Sequence, residues 1–210
     1  MITVPCADIL APGNFKTIRD CLRADGVIAY PTDTLYGLGG NFFSAAAMAK
    51  VDAMKKRGDL PYSIAVGSLA MLETLAAEVP DIFRSRLQKL LPGKFTFLFK
   101  PNPTIDPLLL KNSNRIGIRI PGLPLLLKLI SALGFPLVST SVNLSGRPPL
   151  NDPQRIAREF PGLDLLIDGG VLPASLGSTL VDVAESPPRI MRRGADLEKV
   201  VAILSIARTD

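Results

Sequence analysis

Short runs with strand character alternate with helical segments along almost the whole chain, and this alternation restricts the fold more than any other feature. Residues 26–30 form an apolar run bounded by Gly and Pro, the pattern of a buried strand. Similar short runs lie at 63–66, 95–100, 116–120, 137–142, 165–168, 179–183 and 189–192. Between them, helical spacing predicts helices at 15–23, 44–56, 81–91, 124–133, 152–160 and 197–207. Ser44 and Asp152 are candidate N-caps, and Gly134 follows the end of its helix. Interleaved helices and strands predict an α/β architecture around one sheet. The two closely spaced runs near the C-terminal end predict some antiparallel pairing, so the expected sheet is mixed, open and twisted, with flanking helices. At 210 residues, one domain spanning 1–210 is the expectation.

Composition narrows the chemistry. There is no histidine, which excludes a Ser-His-Asp triad, a Cys-His dyad, an H-E-x-x-H zinc site and an imidazole base. The two cysteines, Cys6 and Cys21, form neither a C-x-x-C pair nor a disulfide framework. Any divalent ion would be a hard one held by oxygens, so no metal-ligating residues are assigned. Lys and Arg number 24 against 19 acidic residues, and this excess favours anionic partners. The mean hydropathy of +0.29 raises the question of a membrane. The most apolar stretch, 120–138, contains Pro121, Pro124, Lys128, Gly134 and Pro136, and no run reaches the roughly 18 apolar residues of a spanning helix. The first residues lack a signal-peptide pattern, so a cytoplasmic location is expected.

Four constellations stand out. The segment Pro31-Thr32-Asp33-Thr34-Leu35-Tyr36-Gly37-Leu38-Gly39 follows a buried strand. If extended, it places Thr32, Thr34 and Tyr36 on one face, toward a ligand; as a turn, Asp33 and the threonines would bond their own backbone. Lys55, Lys56 and Arg57 end a helix, where cations complement the macrodipole, or reach a cleft and hold phosphates. Strand alternation puts Arg115, Gly117 and Arg119 on one face, opposite three isoleucines. An Arg inside an apolar strand needs an anion, either a protein carboxylate or a substrate carboxylate or phosphate. Finally, Ser139, Ser141 and Asn143 form a ladder of small polar groups on one side of a strand. Such a face is either solvated or lines a pocket.

Taken together in this order, these segments resemble the YrdC-like family of threonylcarbamoyl-AMP synthases in its single-domain form. The P-T-D-T-L-Y-G-L-G loop, the K-x-R at Lys55 and Arg57, the R-I-P from Arg119 and the S-T-S-x-N-x-S-G from Ser139 match its pattern. So do the S-T-x-V-D from Ser178 and the I-x-R-x-G around Arg192. The resemblance implies a YrdC-like fold with a deep basic cavity. It also implies a reaction: L-threonine, bicarbonate and ATP give threonylcarbamoyl-AMP and pyrophosphate. Other tRNA-modification proteins then transfer the threonylcarbamoyl group to tRNA.

By the same resemblance, Lys55, Arg57, Ser141 and Asn143 are the catalytic set at the ATP phosphates, and Arg192 adds to ATP binding. Thr34, Tyr36, Arg119, Ser139 and Ser178 surround threonine, with Arg119 the natural partner of its carboxylate. Mg2+ would sit on the phosphates. The chain departs from the family at Gly58, where Pro is usual, in a stretch after it that is one residue shorter, and in lacking a histidine at the end of the next strand. Two alternatives remain open from sequence: a non-catalytic double-stranded RNA-binding protein, and a YrdC-like paralogue with a different substrate.

Overall fold

The computed structural model describes residues 1–56, 61–79 and 81–206. Arg57 and Gly58, both singled out above, lie outside the described residues. Ten strands among the described residues form one sheet in the order β1-β8-β2-β3-β7-β4-β6-β5-β9-β10. They are β1 (Ile2–Pro5), β2 (Ile28–Tyr30), β3 (Gly37–Gly39), β4 (Ser63–Ala65), β5 (Phe95–Phe99) and β6 (Ile116–Arg119), then β7 (Leu137–Ser141), β8 (Leu165–Asp168), β9 (Thr179–Asp182) and β10 (Arg189–Arg192). The sheet is mixed. β1 and β2 run parallel to β8, β4 to β6 and β5 to β9. The remaining neighbours pair antiparallel, including β9 with β10 as the sequence predicts.

The helices are α1 (Pro12–Arg23), α2 (Ala45–Lys55), α3 (Leu69–Leu75), α4 (Asp81–Leu90), α5 (Pro124–Leu133), α6 (Pro153–Glu159) and α7 (Leu197–Leu204). Their ends follow local chemistry. Ser44 accepts from the Ala47 amide at the start of α2, and Asp152 accepts from the Gln154 and Arg155 amides at the start of α6. Gly134 closes α5 at φ +77°, a conformation that costs glycine little. Among the described residues, no helix is long and apolar enough to cross a membrane.

Apolar burial is divided between the two faces of the sheet. On one side, Leu72 and Leu75 of α3, Leu87 and Leu90 of α4 and Val200 and Leu204 of α7 pack with Ile64, Phe97 and Ile118. On the other side, Ile18 and Leu22 of α1 and Leu126, Leu129 and Ile130 of α5 pack with Ile28, Ala65 and Leu137. Strands β2 and β8 are covered on both faces, with Ala29 and Leu166 in one cluster and Ile28, Tyr30, Leu165 and Ile167 in the other, which is why 26–30 and 165–168 read as continuous apolar runs.

Three elements go beyond the sequence reading. Strand β1 is a four-residue edge strand ending in Pro5, and its pairing partner is more than 150 residues away in the chain. Helix α3 has only seven residues, capped by Ser68. Strand β3 is Gly-Leu-Gly and sits where the sequence suggests a loop. Its glycines are a condition of close approach: a Cβ at Gly39 would lie 1.9 Å from the Val138 carbonyl oxygen on β7. Gly39→Ala is therefore expected to lower the free energy of unfolding in urea by about 2 kcal/mol or more, the usual scale of overpacking. Gly13→Ala, which has open space around the added methyl, serves as the control and is expected to be neutral or stabilising.

Candidate active site

The face of the sheet that carries α1 and α5 is only partly covered. Beyond Ala65 and Leu137, the cross-strand neighbours become small. Gly37 faces Ser141, Ser63 faces both Ser139 and Gly117, and Thr96 faces Leu180. All of these except Gly117 line a cavity of about 350 Å³. Thr32, Thr34 and Tyr36 border it from the turn after β2, with Arg119, Ser178 and Arg192 from strand ends. The only charged residues of its lining, among the described residues, are Arg119 and Arg192.

Arg119 is 7% exposed at the end of β6 and pairs with Asp33, donating from Nη2 to Oδ1 at 2.5 Å. Both its terminal nitrogens also lie 3.3 Å from Thr34 Oγ1. The pair is incompletely satisfied. Among the described residues, Arg119 Nε and Asp33 Oδ2 have no hydrogen-bond partner. The segment from Thr32 to Leu35 is a turn, not an extended run: the Thr32 hydroxyl accepts from the Thr34 and Leu35 amides and donates to the Leu35 carbonyl at 2.7 Å. The turn nonetheless brings Thr32, Thr34 and Tyr36 to the same cavity, because it reverses the chain into β3.

Tyr36 offers the cavity its ring more than its hydroxyl. That hydroxyl donates to the Gly170 carbonyl and accepts from the Gly169 amide, both at 2.9 Å, and so ties down the loop after β8. Burial pushes the Tyr36 phenol up to about 12. Across the cavity, Ser178 Oγ lies 2.8 Å from Thr96 Oγ1. Arg192 donates to the Ser178 carbonyl at 2.9 Å and to its hydroxyl at 3.1 Å. Burial, and then the like charge of Arg119, hold the Arg192 guanidinium below its ordinary pKa. Two cations facing one cavity make it favourable for an anion.

The K-x-R and S-x-N residues that fall among the described residues are bonded together beside the cavity. Lys55, 2% exposed, donates to the Ser141 carbonyl at 2.5 Å, to Asn143 Oδ1 at 2.7 Å and to the Asn143 carbonyl at 3.0 Å. The Ser141 hydroxyl donates to Asn143 Oδ1 at 2.7 Å, and Asn143 Nδ2 donates to the Arg147 carbonyl. Ser141 lines the cavity; Lys55 and Asn143 are bonded to it but are not among the lining residues. Lys55 thus anchors the end of β7 to the end of α2. Arg57, two residues on, lies outside the described residues.

The structure brings Thr34, Tyr36, Arg119, Ser139, Ser141, Ser178 and Arg192 to one cavity. Sequence reasoning missed Asp33 as the partner of Arg119, and Ser63 and Thr96 in the floor. The signal for Thr96 is a hydroxyl set among Phe95, Phe97 and Phe99; for Ser63 and Asp33 it lies only in the tertiary arrangement. Chemically, the lining offers hydroxyls, backbone groups and guanidinium donors. Such a set holds anions in place and neutralises them, and among the described residues it has no carboxylate to serve as a general base.

Comparison with known proteins gives consistent results. The Sua5/YciO/YrdC family model, described as telomere recombination, matches residues 20–194. A threonylcarbamoyl-AMP synthase of Pyrococcus abyssi is 30% identical over 191 residues, covering 88% of this chain and 56% of that protein. A protein of the same name from Mus musculus is 35% identical over 193 residues, covering 87% of this chain and 68% of that one. The crystal structure of P. abyssi Sua5 complexed with L-threonine superposes with a TM-score of 0.86 at 27% identity, over 96% of this chain and 60% of that one. The chain spans little more than half the length of the Pyrococcus relatives.

The Arg119–Asp33 pair gives a direct test of the site's energetics. Asp33→Ala leaves a buried guanidinium without its counter-charge and is expected to lower stability by about 3 kcal/mol. Adding Arg119→Met removes the stranded charge, so the double variant is expected to be more stable in chemical denaturation than Asp33→Ala alone. A double variant less stable than either single one would contradict this reading.

Proposed function

Because this chain belongs to the Sua5/YciO/YrdC family, we propose that it is a threonylcarbamoyl-AMP synthase, converting L-threonine, bicarbonate and ATP to threonylcarbamoyl-AMP and pyrophosphate. The observation that carries the proposal is the single cavity bordered by two arginines and a row of hydroxyls, with the Lys55–Ser141–Asn143 cluster against its wall. The named synthase relatives and the threonine complex of Sua5 support the same reading.

In this reading Arg119 and Ser178 hold the threonine carboxylate, and Thr34 and Ser139 complete the amino-acid site beside the Tyr36 ring. Arg192 and Ser141 face the nucleotide phosphates, with Lys55 and Asn143 fixing the Ser141 end of β7; the family resemblance assigns Arg57 to the same phosphates. The threonine amine takes up the bicarbonate carbon as a carbamate, releasing water. A carbamate oxygen then forms a bond to the α-phosphorus of ATP, and the bond to pyrophosphate breaks in line. A step of this kind depends on orientation and charge neutralisation, which a cavity of arginines and hydroxyls supplies without histidine.

The same donors make a poor cage for a resident divalent ion, since hydroxyls and cations provide no anionic ligand and the lining has no carboxylate among the described residues. Mg2+ accordingly belongs with the triphosphate, as part of the nucleotide substrate. The product would pass to proteins that transfer the threonylcarbamoyl group to tRNA.

Pyrophosphate release, measured with threonine and bicarbonate omitted in turn, tests the assignment. Release is expected only when both are present. Arg119→Ala is expected to raise KM for threonine tenfold or more, and Arg192→Ala to raise KM for ATP by a similar factor, on the order of one lost charge-assisted hydrogen bond. Release that ignores threonine would refute the activity, and variants with unchanged KM values would refute the division of the site.

A further inference from the structure

Thr96 is fully buried in a strand of phenylalanines, yet its side chain faces the cavity. A hydroxyl in such a strand replaces an apolar group and must satisfy its hydrogen bonds locally. Among the described residues, its hydroxyl has one hydrogen-bond partner, Ser178 Oγ at 2.8 Å. Ser178 Oγ also accepts from Arg192 Nη2 at 3.1 Å, a direction fixed by chemistry because a guanidinium only donates.

Ser178 Oγ has two lone pairs and one proton. If Thr96 donates to it, Arg192 and Thr96 together fill both lone pairs, and the serine proton is committed to an acceptor in the cavity. If Ser178 donates to Thr96 instead, the serine proton is used internally. An anionic oxygen in the cavity selects the first arrangement, and the two guanidinium groups facing the cavity favour such an oxygen. We propose that Thr96 is a positioning residue: its hydroxyl donates to Ser178 and so fixes Ser178 as a donor toward the carboxylate of the amino-acid substrate, with Arg192 held in the same chain of hydrogen bonds. Thr96 acts through Ser178 rather than on the substrate's reacting atoms. This inference rests on the assignment of the cavity to L-threonine.

Calorimetric titration of L-threonine into the protein tests it. Thr96→Val keeps the shape and removes the hydroxyl; it is expected to weaken binding about tenfold, the scale of one hydrogen bond to a charged group. Thr96→Ser is expected to restore wild-type binding. Ser178→Ala is expected to lose at least as much as Thr96→Val, and the double variant to lose no more than Ser178→Ala alone, because Thr96 then has nothing left to orient. Thermal melting accompanies each variant. Should the valine variant melt early, Thr96→Cys provides the same comparison at similar volume. Wild-type binding by Thr96→Val, alongside weakened binding by Ser178→Ala, would overturn the role of Thr96 and leave the function standing. Failure of the wild-type protein to bind L-threonine would overturn the assignment of the cavity itself.

Discussion

The buried pair of Arg119 and Asp33 is the interaction on which the rest of the site depends. An arginine at the end of an apolar central strand is tolerated only with an anion at hand. Asp33 provides it from the turn between β2 and β3, while Arg119 ends β6. In the sheet, β3, β7 and β4 lie between those two elements. The ion pair therefore bridges the strands whose small residues floor the cavity, and it holds the turn carrying Thr34 and Tyr36 over them. The pair is not fully satisfied, since Arg119 Nε and Asp33 Oδ2 are buried and unpartnered among the described residues.

The second constraint is the absence of bulk on one patch of the sheet. Helices α1 and α5 cover this face as far as Ala65 and Leu137, where apolar side chains are available to meet them. Past that point Gly37, Ser63, Gly117, Ser139 and Ser141 offer neither volume nor apolar surface, and a helix laid there would bury polar groups for little hydrophobic gain. The cavity is thus a consequence of which strand positions are small. Its wall is stiffened from behind: Lys55 is almost fully buried and spans the end of α2 and the segment after β7, so a residue that resembles a catalytic cation also has a structural task.

Most of the fold was legible because period-2 and helical segments are separated by clear Gly, Pro and capping residues. The strands at 165–168 and 189–192 and the helix at 124–133 lie where the pattern puts them. β3 was not legible, since Gly-Leu-Gly has loop composition; its glycines answer to tertiary neighbours, the Tyr30 ring of β2 at Gly37 and the Val138 carbonyl of β7 at Gly39. β1 was hidden by its proline and by a partner more than 150 residues distant. For the site, polarity on an otherwise apolar strand pointed to Ser139, Ser141 and Arg119, and motif order pointed to Thr34, Ser178 and Arg192. Asp33 and Ser63 gave no comparable signal, because their significance comes from strands that are adjacent in the sheet and remote in the chain. The extended reading of Thr32 to Tyr36 failed on a local competition: the Thr32 hydroxyl bonds the backbone two and three residues ahead and closes a turn.

The central claim is that one cavity receives an amino-acid carboxylate at Arg119 and Ser178 and nucleotide phosphates at Arg192 and Ser141. A crystal structure of the protein with L-threonine and a non-hydrolysable ATP analogue tests it most directly. The account predicts the threonine carboxylate within hydrogen-bond distance of Arg119 and Ser178, and the triphosphate beside Ser141 and Arg192, with the α-phosphorus toward the threonine amine. Threonine or nucleotide bound outside this cavity, or a carboxylate remote from Arg119, would contradict it.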